Sequence, residues 1–403
     1  MIALWLLLAG CGGSGGSPIP GAPPQRGDLV SITSSASINV VVVNAYILAL
    51  AGYGVDTSAL NGTKYGVSLH RIVYKTITPD GRLINASGVM AYPLKVGGAS
   101  SPLLSFQHGT IFSDSDAPSF DTNVDAALAV MAGSGFITAM PDYIGYVAST
   151  NEIHTFVHAQ GLAAATVDML RATRQVLAAK NVATNGQLFL TGYSEGGYAT
   201  LAAQKEMEQN LPAEFPVTAS MPAAGPYDMS ATAQYMVGLV ANPNPEYVGF
   251  VFKAYDHWYG WNRLNDIFQS PYNAVVATDY DGSKSGGTIH NALTTDSAAL
   301  FGLNFRSDFL GSGEATVKAD FAKNDIYNWA PSTPTRLFHG QDDGVVPYFN
   351  ATHAATAMAA AGSTTVTVVN CTTPVLIPRG HAECAWDYLS QVIGWFVPLA
   401  SNL

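Results

Sequence analysis

Charge is what this sequence has least of. Lys, Arg, Asp and Glu make up 12 % of 403 residues, where a soluble domain usually carries about 25 %. Basic residues are the scarcer half, 18 against 29 acidic ones, and the net charge of −11 disfavours a phosphate backbone as partner. Nucleic acid is excluded on that ground. The same chain is 48 % hydrophobic, which excludes intrinsic disorder. It is long enough for one large α/β domain or two ordinary ones. The apolar start, Met1 to Leu8, is too short to span a bilayer. Cysteine is nearly absent, with only Cys11, Cys371 and Cys384.

Those three cysteines divide by position. Leu8-Ala9-Gly10-Cys11 closes the apolar start in small residues, as a secretory signal does. It is similar to the bacterial lipobox, in which the cysteine becomes the lipidated N-terminus. One departure is that no Lys or Arg precedes the apolar run. The reading is a signal segment over residues 1–11, lipidation at Cys11 and an extracytoplasmic protein held at a membrane by that anchor. Gly12 to Gly27 is rich in Gly, Ser and Pro, a flexible tether, and the whole of 12–60 reads as tether and irregular chain. Cys371 and Cys384 then remain as an even pair in an oxidising compartment, a candidate disulfide around Arg379-Gly380-His381. Closing a loop of that size contributes about 3 kcal/mol in the chain-entropy model.

Beyond residue 60 the patterning is regular. Val67 to Tyr74 and Ala86 to Tyr92 alternate as strands around the turn Pro79-Asp80-Gly81. Strands then alternate with helices. Leu103 to Phe106, Phe136 to Met140, Leu188 to Thr191 and Val217 to Met221 are the strands; Val124 to Ala132, Phe156 to Lys180 and Glu195 to Gln209 are the helices. Asn185-Gly186 is expected to turn into the third of these strands. Strands Arg336 to His339 and Thr365 to Val369, with helices Ala351 to Ala361 and Ala385 to Phe396, complete the pattern. Such alternation means a mostly parallel sheet flanked by helices, an α/β fold. It covers 61–225 and 335–403. Residues 226–334 interrupt it with aromatic clusters and a Gly/Ser loop, and are read as an inserted cap or lid. The cap aromatics Tyr255, Trp258, Tyr259, Trp261 and Phe268 are expected to pack the cap's own core, the alternative being an acyl pocket. Asp279 and Asp281 beside Gly282 read as turn chemistry rather than a calcium loop.

Gly-x-Ser-x-Gly occurs twice. Around Ser14 it lies in the tether, with no strand before it. Gly192-Tyr193-Ser194-Glu195-Gly196 follows a strand and opens a helix, the sharp turn that presents a nucleophilic serine. A serine hydroxyl needs a base, and the base needs an orienting acid. His381, in a loop beyond the last strand, is the candidate base; His353 sits in a helix, where a surface role fits better. For the acid, Gly340-Gln341-Asp342-Asp343-Gly344 offers either aspartate after its strand. The backbone N–H of Glu195 is one candidate oxyanion donor. That of Thr110, in the loop Gln107-His108-Gly109-Thr110, is the second. No metal-ligand spacing accompanies His108.

Taken together, Gln107-His108-Gly109-Thr110, Pro141-Asp142-Tyr143-Ile144-Gly145-Tyr146, Gly192-Tyr193-Ser194-Glu195-Gly196-Gly197, His339-Gly340-Gln341-Asp342-Asp343-Gly344-Val345-Val346-Pro347 and Gly380-His381 resemble the α/β-hydrolase superfamily. More narrowly, they resemble its secretory lipase family. The resemblance runs from about Val67 to Phe396 and places the acid on Asp343. It implies a carboxylesterase or lipase with an inserted cap and an acyl-enzyme intermediate, acting on an ester substrate without metal or organic cofactor. It also implies that Asp142 and Tyr143 line the site behind the nucleophile, and His108 is counted with them as substrate-binding. Where the family has Gly-Tyr-Gly, this chain has Gly145-Tyr146-Val147. The rival readings are a serine peptidase of the same fold and a surface binding protein without turnover.

Overall fold

The computed structural model describes residues 23–60, 62, 64–372 and 379–403. Met1 to Leu8, the tether as far as Ala22 and Cys11 with its expected lipid lie outside the described residues. Among the described residues nine strands form one sheet: β1 (Leu29–Ile38), β2 (Val67–Ile77), β3 (Leu83–Pro93), β4 (Ser101–Gln107), β5 (Ile137–Pro141), β6 (Thr184–Tyr193), β7 (Ala219–Ala223), β8 (Thr335–His339) and β9 (Val366–Asn370). Their spatial order is β1-β2-β3-β5-β4-β6-β7-β8-β9. The first three strands are antiparallel, β3 meets β5 antiparallel, and the rest are parallel. This is the mostly parallel sheet of the α/β-hydrolase fold.

Helices α1 (Val40–Gly52), α2 (Val124–Ser134), α3 (Ala159–Ala179), α4 (Glu195–Asn210), α5 (Phe349–Ala360) and α6 (Cys384–Leu399) flank it. The core strands β4, β5 and β7 are buried along almost their whole length, which is why they read as short apolar runs instead of alternating ones. Packing of α3 and α4 against one face seals Met169, Val176, Leu190 and Met207 away from water. On the other face α6 packs Val392 and Phe396 against Phe189 and Phe338.

Two expectations about the chain are corrected. Residues 29–52 are not irregular: they form β1 and α1. β1 is an edge strand rich in serine, with most of its residues exposed, so it lacks the apolar alternation by which strands are recognised. α1 has no charged residue and opens on four valines, a composition favouring strand; the Asn39 side chain caps it by accepting from Val42 N. Secondly, Asn185-Gly186 lies inside β6, where Gly186 takes φ +86°. That is a backbone irregularity within a strand, the other common use of an Asn-Gly pair.

Between β7 and β8 the chain leaves the sheet and builds helices from Met229–Gly238 and Pro245–Trp258 through Ala315–Ala322. Their centre is aromatic. Phe252 meets Phe268, Phe301, Phe305, Phe309 and Phe321 at ring-centroid distances of 5.5 to 6.3 Å, each edge to face. Tyr255 is buried and donates to Val157 O, and Trp261 Nε1 donates to Asp320. Asp279 pairs with Lys284, and Asp281 accepts from Ser283, as turn residues do. No helix among the described residues is long and apolar enough to cross a membrane.

Candidate active site

The carboxyl ends of neighbouring parallel strands converge on one point. β6 ends at Tyr193 and the chain turns directly into α4. Ser194 sits at that turn with φ +61° and ψ −124°, a region costly for a residue with a Cβ. The turn closes because glycines admit backbone at close range: a Cβ at Gly196 would run into the carbonyl oxygens of Gln107 and His108. Serine at a helix N-cap ordinarily caps with its own oxygen. Here it makes no cap bond. Its Oγ lies 2.8 Å from His381 Nε2 instead, leaving the first N–H groups of α4 available to an anion.

His381 is carried by the loop between β9 and α6. Its Nδ1 is 2.7 Å from Asp343 Oδ2, and its backbone oxygen accepts from Tyr193 Oη at 2.7 Å. Cys371 and Cys384 are joined by a disulfide, with Cα atoms 5.8 Å apart, across the foot of that loop. Asp343 follows β8 and is nearly buried. Its Oδ1 accepts from Val345 N and Val346 N at 2.9 Å each. Burial alone would raise its pKa, but hydrogen bonds from His339 and His381, and their charge, outweigh that and hold it well below the usual carboxylate range. Asp342 points elsewhere, to Arg379. His353 is half-exposed on α5 and pairs with Asp228.

His339 is a partner of Asp343 that sequence reasoning quoted but did not use. Fully buried, it places Nε2 2.8 Å from Val346 O and 3.3 Å from Asp343 Oδ2. Since a carbonyl only accepts, Nε2 carries the proton. That N–H, given to Val346 O, also lies beside the Oδ2 that His381 Nδ1 reaches.

Ser194 opens into a cavity between the sheet and the cap. Thr110 and Glu195 line it, together with Phe156, Val157, Pro226, Met229, Met236, Tyr247, Val251, Val345 and Val346. Thr232 lines it too, but the wall is mostly apolar, and much of it comes from the first two cap helices. None of the cap aromatics singled out in the sequence lines it. Periodicity could not find the actual lining, because these residues meet only when the cap folds over the sheet.

The three expected substrate-binding residues are elsewhere. Asp142 is fully buried and accepts from Ser87 Oγ and Ser119 N; burial pushes its carboxyl up, against those hydrogen bonds. It ties the loop after β4 to β3. Tyr143, also buried, donates to His108 O at 3.0 Å and stacks on the His108 ring. His108 turns away from the cavity toward Gly109 O and Asp142 O, and burial keeps its pKa low. All three support the loop bearing Thr110; none lines the cavity.

The departure at Val147 is visible in the backbone. Val147 takes φ +47°, which a β-branched residue adopts only under strain. Its N–H donates to Asp114, so the position is held despite that cost. Val147→Gly is expected to raise stability by about 1 kcal/mol, less than the full relief because glycine also loosens the unfolded chain. The urea midpoint would read this, with ester turnover kept as a check on the site.

With the sheet and the converging loops in view, the class is an α/β-hydrolase. Residues 113–225 match the family model for secretory lipase. A Legionella pneumophila protein described as a hydrolase superposes with a TM-score of 0.82 at 25 % identity, over 92 % of this chain and 98 % of that one. The rice cell wall degrading esterase LipA from Xanthomonas oryzae gives 0.81 at 26 % identity, over 92 % and 98 %. Candida antarctica lipase A shares the fold, with a TM-score of 0.62 at 14 % identity over 89 % and 78 %. A search of curated protein sequences returns no match. The chain is a carboxylic ester hydrolase of this fold, similar to secretory lipases.

Proposed function

We propose that the protein is a serine esterase working through Ser194, His381 and Asp343. The observation that carries this is the unbroken hydrogen-bonded chain from Asp343 through His381 to Ser194 at the edge of an apolar cavity. Asp343 accepts from Nδ1 and so fixes the tautomer in which Nε2 takes the serine proton. Ser194 attacks the ester carbonyl. The N–H groups of Thr110 and Glu195 receive the charge that develops on the carbonyl oxygen. The alcohol leaves with a proton from His381, and water, activated by the same imidazole, releases the acid. The apolar wall suits a hydrocarbon acyl group.

The core is 61–225 with 335–403, and 226–334 acts as the cap. The match to secretory lipases supports an extracytoplasmic location, and we extend it to a lipid anchor at Cys11. A peptidase of the same fold is less well supported: the acidic residue among those lining the cavity, Glu195, has its carboxyl buried and paired with His154, so it is not free to receive a substrate α-amino group.

A fluorophosphonate should label Ser194 and stop hydrolysis of p-nitrophenyl esters. A series from acetate to palmitate, run beside aminoacyl anilides, would then rank substrates. An unlabelled Ser194, or faster turnover of the anilides, would overturn the esterase reading.

A further inference from the structure

Glu195 has an awkward place for a carboxyl group. Its backbone N–H is one of the two proposed oxyanion donors, yet its side chain is buried beside that point, only 2 % exposed. A bare carboxylate there would oppose the negative charge that develops on the substrate oxygen. Oε1 lies 2.6 Å from His154 Nε2, and Oε2 is buried with no hydrogen-bond partner among the described residues.

His154 is itself fixed. It is 3 % exposed, and its Nδ1 lies 2.7 Å from Ile144 O. A carbonyl can only accept, so Nδ1 carries a proton. Nε2 and Oε1, 2.6 Å apart, then need one more proton between them. Without it two lone pairs would face each other. Whether the pair is imidazolium with carboxylate or imidazole with carboxylic acid, its net charge is zero.

Among the described residues no neighbouring titratable group is paired with Glu195 in place of His154. His108 keeps both ring nitrogens on backbone oxygens, those of Gly109 and Asp142, and not on Glu195; burial lowers its pKa against the field of Glu195. Tyr143 and Tyr146 are buried phenols whose pKa burial, followed by the field of Glu195, drives up, so they too stay neutral. Among the described residues the ion pairs give Glu195 no partner other than His154. The imidazole is walled by Tyr146, 4.7 Å between ring centroids, and by the cap residue Phe250 at 5.3 Å. Water is thereby kept from the pair.

We propose that His154 is a positioning residue of the oxyanion site: the proton it shares with Glu195 neutralises and fixes the side chain of the residue whose N–H stabilises the transition state. This rests on the reading of Ser194 as nucleophile.

The test uses His154→Ala and His154→Asn, each alone and combined with Glu195→Gln, on the full chain with p-nitrophenyl butyrate. Either single substitution strands a buried carboxylate. It should lower kcat about 10- to 100-fold, the scale seen when a supporting partner is lost, with KM changed less than threefold. Adding Glu195→Gln removes the stranded charge and should recover at least tenfold of the lost kcat in whichever His154 variant folds, by its thermal melt. A purely structural role predicts no recovery, since a second buried substitution adds damage. Wild-type kcat in the single variants, an effect confined to KM, or a double variant no faster than the single would each overturn the proposal. Fluorophosphonate labelling of wild-type Ser194 runs alongside. If Ser194 labels, those failures fall on His154 alone; if it does not, the parent reading falls and this one with it.

Discussion

Ser194→Ala is expected to lower kcat for p-nitrophenyl butyrate by about 10⁵- to 10⁶-fold, some 7 to 8 kcal/mol of transition-state stabilisation. The loss should be that large because the hydroxyl is the only atom the substitution removes from the reacting geometry. His381, Asp343 and the two backbone donors keep their places, so a small residual rate from the oxyanion site should survive. Stability should hardly change. Ser194 makes no cap bond with its side chain, and alanine tolerates φ +61° no worse than serine does. An unchanged melt with turnover gone is the expected pair of results. Near-wild-type turnover would remove Ser194 from the mechanism and the serine esterase reading with it.

Asp343→Asn should cost on the order of 10⁴-fold in kcat, the scale known for the equivalent change in a serine protease triad. The structure gives the reason in this chain. Val345 N and Val346 N both donate to Oδ1, so an asparagine must keep its oxygen there. Its amide nitrogen then faces His381 Nδ1, where the carboxylate oxygen stood. An N–H at that point selects the tautomer protonated on Nε2, which can no longer accept the serine proton. The same amide would also meet His339 Nε2–H, a donor, at the 3.3 Å contact. Since the Asp343 pKa is depressed in the folded state, the carboxylate stabilises the fold above the ordinary carboxylate range, and that contribution is lost as pH falls through its lowered value. The asparagine variant should therefore show a shallower loss of stability in acid, read as melting temperature against pH. Wild-type kcat in this variant would show that Asp343 does not set the tautomer.

Much of this was legible without coordinates. β2 to β9 and α2 to α6 were recognised to within a few residues, because each buries a face against the sheet and so carries a local signature. The Ser194 turn was readable for a related reason: strand, small residues and helix must follow one another for it to close. The edge strand β1 and helix α1 escaped, since their stability comes from pairing with β2 and packing on α2, and neither leaves a periodic trace. Asp142 shows the opposite failure. A charged residue in a motif near the nucleophile suggested substrate contact, whereas three hydrogen bonds make it an internal tie.

The sequence by itself determined the order of elements, the candidate nucleophile, acid and base, and the interruption between β7 and β8. These are local properties: periodicity, turn chemistry and residue type at a fixed spacing. Only the tertiary structure decided which side chains wall the cavity, that His339 reaches the carboxylate of Asp343, and that His154 reaches Glu195 across 41 positions of chain. Such contacts join segments whose separation in sequence sets no constraint on their distance in space. They exist only once burial of the sheet and the cap has brought those segments together.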